Sequence, residues 1–264
     1  MKPLAYFLCF LFILSSCDQL QKKNTEGNSS SQSIYLDNLD RATIFNSFFH
    51  KPVIEGWCLW KPSTADSTFP VSDDSCCHTK LDTILRYNIG STNMDVIIFG
   101  TFEFKDGQPI IFHAAAPMMS VAVAKQTIEK GWVIENFKKD FGFHGSWGGL
   151  PLMKIKKIGV NYFLEENWGF TNQGYSESWD KFWHLPSLVE SIKLTGIDNS
   201  GTTDEESKLY EQQDSILDIS AGNITKILIL KVESRFVNGK KQEGITNRTE
   251  YQLNDSNIFK PINK

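Results

Sequence analysis

The sequence predicts a mainly β protein: an antiparallel meander of hairpins, closing as a sandwich or in a propeller-like way, with few short helices. Three observations predict it. From Lys80 onward, short apolar runs of alternating pattern recur, each bounded by a turn signal. Those signals are Lys105-Asp106-Gly107, Lys130-Gly131, Ile158-Gly159-Val160-Asn161 and Asn238-Gly239-Lys240. Asn-Gly is the strongest of them, because both residues tolerate the positive φ of a two-residue hairpin loop. Finally, 12% aromatic and 41% apolar residues supply a real core, and the length suits one large all-β domain or two small ones.

The chain opens on a segment that does not belong to the domain. Lys2 precedes an unbroken apolar run from Leu4 to Leu14. A membrane span needs about 20 such residues, so this run has the length of a secretion signal instead. Leu14-Ser15-Ser16-Cys17 resembles the lipobox of bacterial lipoproteins. That resemblance implies cleavage after Ser16 and a diacylglycerol, with palmitate-type acyl chains, on Cys17. Residues 1–16 are then the signal and residues 17–33 a lipid-bearing tether. The tether has one aliphatic residue and no aromatic, too little to fold alone. Residues 34–264 are the single β-rich domain. The expected location is the bacterial cell envelope, the outer membrane rather than the inner, facing the periplasm or the cell surface.

Within the domain, residues 37–49 read as a short helix with Leu39, Ile44, Phe45 and Phe48 as its apolar stripe. Residues 61–78 read as a loop by their Pro, Ser and Asp content. Strands are expected at 82–89, 94–104, 109–115, 120–129, 132–137, 153–158, 161–166, 177–183, 188–195, 225–236 and 245–253. Residues 198–214 are acidic and polar, and read as an exposed loop.

Three cysteines remain in the domain: Cys58, Cys76 and Cys77. An oxidising compartment suits one disulfide, from Cys58 to Cys76 or Cys77, or a strained vicinal bridge. Cys76-Cys77-His78 lacks the second ligand couple of a structural zinc site, so no metal is expected. No Gly-x-Ser-x-Gly elbow, His-Glu-x-x-His, Walker loop or dinucleotide fingerprint is present, so no cofactor is expected. The formal charge of −4 argues against a nucleic-acid surface.

Two stretches carry the candidate ligand contacts. Gly142-Phe143-His144-Gly145-Ser146-Trp147-Gly148-Gly149-Leu150-Pro151 reads either as a tight turn cluster with Trp147 in the core, or as a loop offering His144 and Trp147 to a ligand. Asn167-Trp168-Gly169-Phe170-Thr171-Asn172-Gln173-Gly174-Tyr175 reads as a second loop. In it Trp168, Phe170 and Tyr175 either simply terminate strands or, among side-chain amides, suit a sugar. His113 reads as a core histidine within an apolar strand, or as a general base.

Trp147-Gly148-Gly149-Leu150-Pro151, the run from Ile158 to Leu164, the run from Gly169 to Tyr175 and Asp198-Asn199-Ser200-Gly201 follow one another at short spacing. This order resembles uncharacterised bacterial lipoproteins with a β-rich, VCBS-like or propeller-like domain, over roughly residues 94–253. The resemblance implies a β-rich secreted protein and carries no activity. The expected function is a membrane-tethered, non-enzymatic binding or scaffolding domain for an envelope protein or glycan. The alternative is an envelope hydrolase with His113 or His144 as general base.

Overall fold

The computed structural model describes residues 34–60, 76–111, 116–129, 131–172, 175–198, 209–237, 240–242, 244 and 246–262. Two antiparallel sheets and one helix are built from them. The first sheet uses β1 (Tyr35–Leu36), β2 (Val53–Ile54), β3 (Trp57–Leu59), β4 (Cys76–Ile89), β5 (Thr92–Lys105), β6 (Gln108–Pro109), β7 (Met118–Gln126) and β8 (Trp132–Phe143). Its order is β1-β8-β7-β5-β4-β3-β2, with β6 against β5. The second uses β9 (Leu152–Ile158), β10 (Asn161–Asn172), β11 (Tyr175–Leu185), β12 (Val189–Asp198), β13 (Leu209–Asp218), β14 (Lys226–Val237), β15 (Lys240–Gln242), β16 (Thr246–Leu253) and β17 (Phe259–Pro261). These run in sequence order as a meander, with β15 off the path against β14. Of the two closures the sequence left open, the stacked sheets are the sandwich.

The helix α1 (Arg41–Phe49) starts where Asp40 caps it, its carboxylate accepting from the Thr43 amide at 3.0 Å. It ends at His50, which is left-handed at φ 54°. Ile44, Phe45, Phe48 and Phe49 are its buried face. They pack on Ile97 and Phe99 of β5 and on Ala122 and Ala124 of β7. The opposite face of the same strands carries Val96, Ile98, Met119, Val121 and Val123, which meet Met153, Leu164, Leu185 and Leu188 of the second sheet. The first sheet is therefore covered on both sides. That is why Met94 to Phe99 reads as a continuous run rather than an alternation. β10 works the same way: Leu164 faces the first sheet, while Phe163 faces inward to the second sheet's own curl.

Several expected boundaries move. Residues 76–78 are strand, not loop, because Cys77 is buried and His78 stacks on Phe104 with ring centroids 4.0 Å apart. The expected strand at 109–115 reduces to Gln108–Pro109; Ile110 and Ile111 lie outside it, and residues 112–115, with His113, lie outside the described residues. The expected loop at 167–175 is a strand hairpin, with Asn172 opposite Tyr175. The stretch at 209–214, expected as loop, belongs to β13. Its inward positions include Asp214, a polar residue where an apolar one would have revealed the strand.

The expected pairing of Cys58 with Cys77 is not made: both are buried thiols. Cys58 lies opposite Thr79, so Cys77 is its diagonal neighbour on the same face. Diagonal neighbours are about 7–8 Å apart, their Cβ atoms somewhat less, which is beyond the ~3.5–4.5 Å between Cβ atoms that a disulfide requires. The side chain of Cys76, and residues 1–33 with Cys17, lie outside the described residues.

Candidate functional site

The second sheet curls as it passes from β12 to β13. Among the described residues these strands share one ladder pair, Asp198 with Gln212. Where the ladder lapses, a side chain takes over: Asp214 accepts the Thr195 amide at 3.1 Å. The concave face there carries a cavity of about 490 Å³. Leu194, Ile229, Tyr251 and Phe259 line it with apolar surface. Asp214, Lys231, Asn247, Arg248 and Thr249 supply polar groups. Their placement follows from period-two alternation: Asp214 is opposite Lys231, Asn247 is opposite Lys231 on the other side, and Thr249 is opposite Ile229. Lys231 also reaches Glu233 Oε1 at 2.8 Å. A few hundred cubic ångströms of mixed lining matches the usual size and chemistry of a small-ligand site.

A polar centre lies between the sheets. His144 is 6% exposed and Glu166 only 1%. His144 Nδ1 donates to Glu166 Oε1 at 2.7 Å, and Nε2 lies 3.1 Å from the Phe141 carbonyl oxygen. The Trp183 indole donates to Glu166 Oε2 at 3.2 Å. Burial pushes the Glu166 carboxyl up, but the His144 bond and charge, the Lys181 charge and the Trp183 bond together hold it below its ordinary value. This centre is enclosed and fully bonded, which suits holding two sheets in register.

A second chain of bonds runs from the β11–β12 turn. The Ser187 hydroxyl lies 2.9 Å from His184 Nδ1, and His184 Nε2 lies 3.3 Å from Asn161 Oδ1. Asn161 in turn donates to Thr225 Oγ1 at 2.7 Å. Burial lowers the His184 pKa, which keeps the ring neutral and able to accept from Ser187.

The candidate residues read from the sequence are dispersed. His144 is buried at the sheet interface. Trp147 is 61% exposed, at the tip of a two-residue loop closed by paired bonds between Ser146 and Gly149. The two are not offered on one surface. Trp168 packs on Trp179 across β10 and β11, with centroids 4.1 Å apart, and Lys193 Nζ sits 4.0 Å over the Trp179 ring. That face is opposite to the one bearing Phe163 and Phe182, so it is turned away from the cavity. The side chain of Tyr175 lies outside the described residues. Sequence reasoning did not reach the cavity residues, because they come from five strands spread over residues 192–259. Only the alternation Ile227, Ile229, Lys231 hinted that a charged side chain would face inward. Among the described residues no group of three His, Cys, Asp or Glu is placed to hold a metal. Comparison with protein families, curated proteins and solved structures finds no match.

Proposed function

We propose that the protein is an envelope lipoprotein, tethered through Cys17, whose curled second sheet binds an envelope glycan. The cavity carries this reading. Tyr251 and Phe259 offer aromatic surface for the C–H faces of a sugar. Asp214, Asn247, Thr249 and Lys231 offer donors and acceptors for its hydroxyls. A concave site of this size suits a small polar ligand better than the flat face of a protein partner. The test is a thermal-shift titration of the mature chain with muropeptides and chito-oligosaccharides. A ligand that binds only the folded state raises the melting temperature with dose. Asn247→Ala, an exposed lining position, should weaken the effect about tenfold, the worth of one well-made hydrogen bond. A shift that Asn247→Ala and a blocking Thr249→Trp both leave unchanged places the ligand elsewhere.

A second reading, an envelope hydrolase, is supported by one observation: the ordered contacts Ser187–His184–Asn161 have the nucleophile, base and orienting group of acyl-transfer sites. His184 takes the role that His113 or His144 was expected to fill. Fluorophosphonate labelling that disappears in Ser187→Ala would establish it. Absence of labelling leaves these bonds as a brace for the β11–β12 turn.

A further inference from the structure

Consecutive residues of β16, Asn247, Arg248 and Thr249, line the cavity, and so do consecutive residues of β12, Ile192, Lys193 and Leu194. A strand turns only every second side chain to one face. Thr249 stands opposite Ile229, on the concave face, so Arg248, opposite Leu230, turns its side chain to the other face. The Lys193 ammonium lies over the Trp179 ring, likewise on the face turned away from the cavity. The middle residue of each run therefore meets the cavity with its main chain.

The direction of those main-chain groups follows from neighbouring bonds. Glu250 accepts from the Ile262 amide at 2.8 Å, so its N–H and C=O point away from β14. Arg248, two residues earlier on the strand, points the same way. β17 pairs with β16 at Tyr251, Gln252 and Leu253, and Arg248 has no ladder partner on that side among the described residues. The Thr195 amide donates to Asp214 of β13 at 3.1 Å, so Lys193 turns its own N–H and C=O towards β13. The ladder pair of Asp198 with Gln212 leaves Lys193 without a ladder partner there too, among the described residues. Each position thus offers the cavity a fixed donor and a fixed acceptor, beside the apolar surface of Leu194, Ile229 and Phe259.

We infer that the cavity selects sugars that carry an acetamido group. The inference rests on the glycan reading of the cavity and narrows its ligand. An acetamide has the same N–H and C=O as a main-chain amide, so it can engage a main-chain acceptor and a main-chain donor together. Its methyl group adds apolar surface for the cavity floor. A hydroxyl in its place brings no methyl, and an ammonium donates but cannot accept. A carboxylate finds Lys231 already engaged, opposite Asp214 and 2.8 Å from Glu233.

The experiment titrates the mature chain by calorimetry with β-1,4-linked trisaccharides that differ at C2: chitotriose with acetamido groups, its deacetylated form with ammonium groups, and cellotriose with hydroxyls. Chitotriose should bind at least about tenfold more tightly than either of the others, because a site built to hydrogen-bond an amide rejects an analogue that lacks it. Equal or tighter binding of cellotriose or of the deacetylated form overturns the inference and leaves the glycan reading standing. Binding of none of the trisaccharides overturns it as well, and a muropeptide that also fails takes the glycan reading with it. Arg248→Pro removes the outward N–H without touching the β14 ladder, as edge strands allow, and Arg248→Ala removes the side chain alone. Arg248→Pro should bring chitotriose down to the affinity of cellotriose, while Arg248→Ala stays within about twofold of the native chain. No loss in Arg248→Pro, or equal loss in both variants, overturns recognition by the Arg248 main chain. Where circular dichroism shows Arg248→Pro unfolded, the trisaccharide series decides.

Discussion

Glu166→Gln removes one charge from the centre that joins the two sheets and leaves the side-chain volume almost unchanged. In the native protein Glu166 accepts from His144 at 2.7 Å and from Trp183 at 3.2 Å, at 1% exposure. The amide keeps an oxygen for the Trp183 indole but sets its own N–H against the N–H of His144, or turns and loses the indole bond. Breaking a buried pair by removing one partner costs about 3–5 kcal/mol. Retaining one bond brings this to roughly 2–3 kcal/mol. At ~2–4 °C per kcal/mol for a domain of this size, the melting temperature at pH 7 should fall by ~4–12 °C. The pH dependence has a definite sign. The folded-state pKa of Glu166 lies below its ordinary 4.5. Its contribution is therefore fully present above about 4.5 and is lost as pH falls through the lower folded value. The gap between the two proteins should accordingly narrow in acid. Thermal melts by circular dichroism from pH 3 to pH 8 measure both effects. A variant that melts within a degree of the native protein at pH 7, or a gap that stays constant in acid, would refute the reasoning.

Other outcomes follow from local geometry. Trp147 occupies a left-handed position at φ 54° beside Gly148 at φ 67°, which costs a bulky residue about 1–2 kcal/mol. Trp147→Asn should raise the melting temperature by a few degrees, and a fall would show that the indole's packing outweighs the strain. Burial raises the Cys58 thiol pKa, even though the charges of Lys51 and Lys139 act to lower it. Native Cys58 should therefore resist iodoacetamide at pH 8 and react promptly once the chain is unfolded. Rapid modification of the native protein, read by peptide mass spectrometry, would show that this strand opens readily.

The fold was more legible than the site, for reasons visible in single residues. Hairpin turns are local, so Asp106-Gly107 and Gly159 announced themselves through their need for positive φ. α1 was legible from its Phe spacing. β13 was hidden because its inward residues include Asp214, which serves the cavity and the Thr195 amide rather than the core. Loop-like composition misled in the other direction at Trp168, whose flanking Asn and Gly residues sit in an unbroken hairpin ladder. His144 stands out in its glycine-rich stretch, but its partner Glu166 lies 22 residues away and is met only across the sheet interface. The cavity is lined from five strands, β12, β13, β14, β16 and β17, which no local alternation of residues brings together.

The central claim is that the concave face of the second sheet holds a glycan. Its most direct test is an amide NMR titration of the mature chain with a muropeptide. The account predicts dose-dependent shifts concentrated at Leu194, Ile229, Lys231, Asn247, Thr249 and Tyr251. Shifts confined to the amides around Trp147 and Trp168, or none at millimolar ligand, would contradict it.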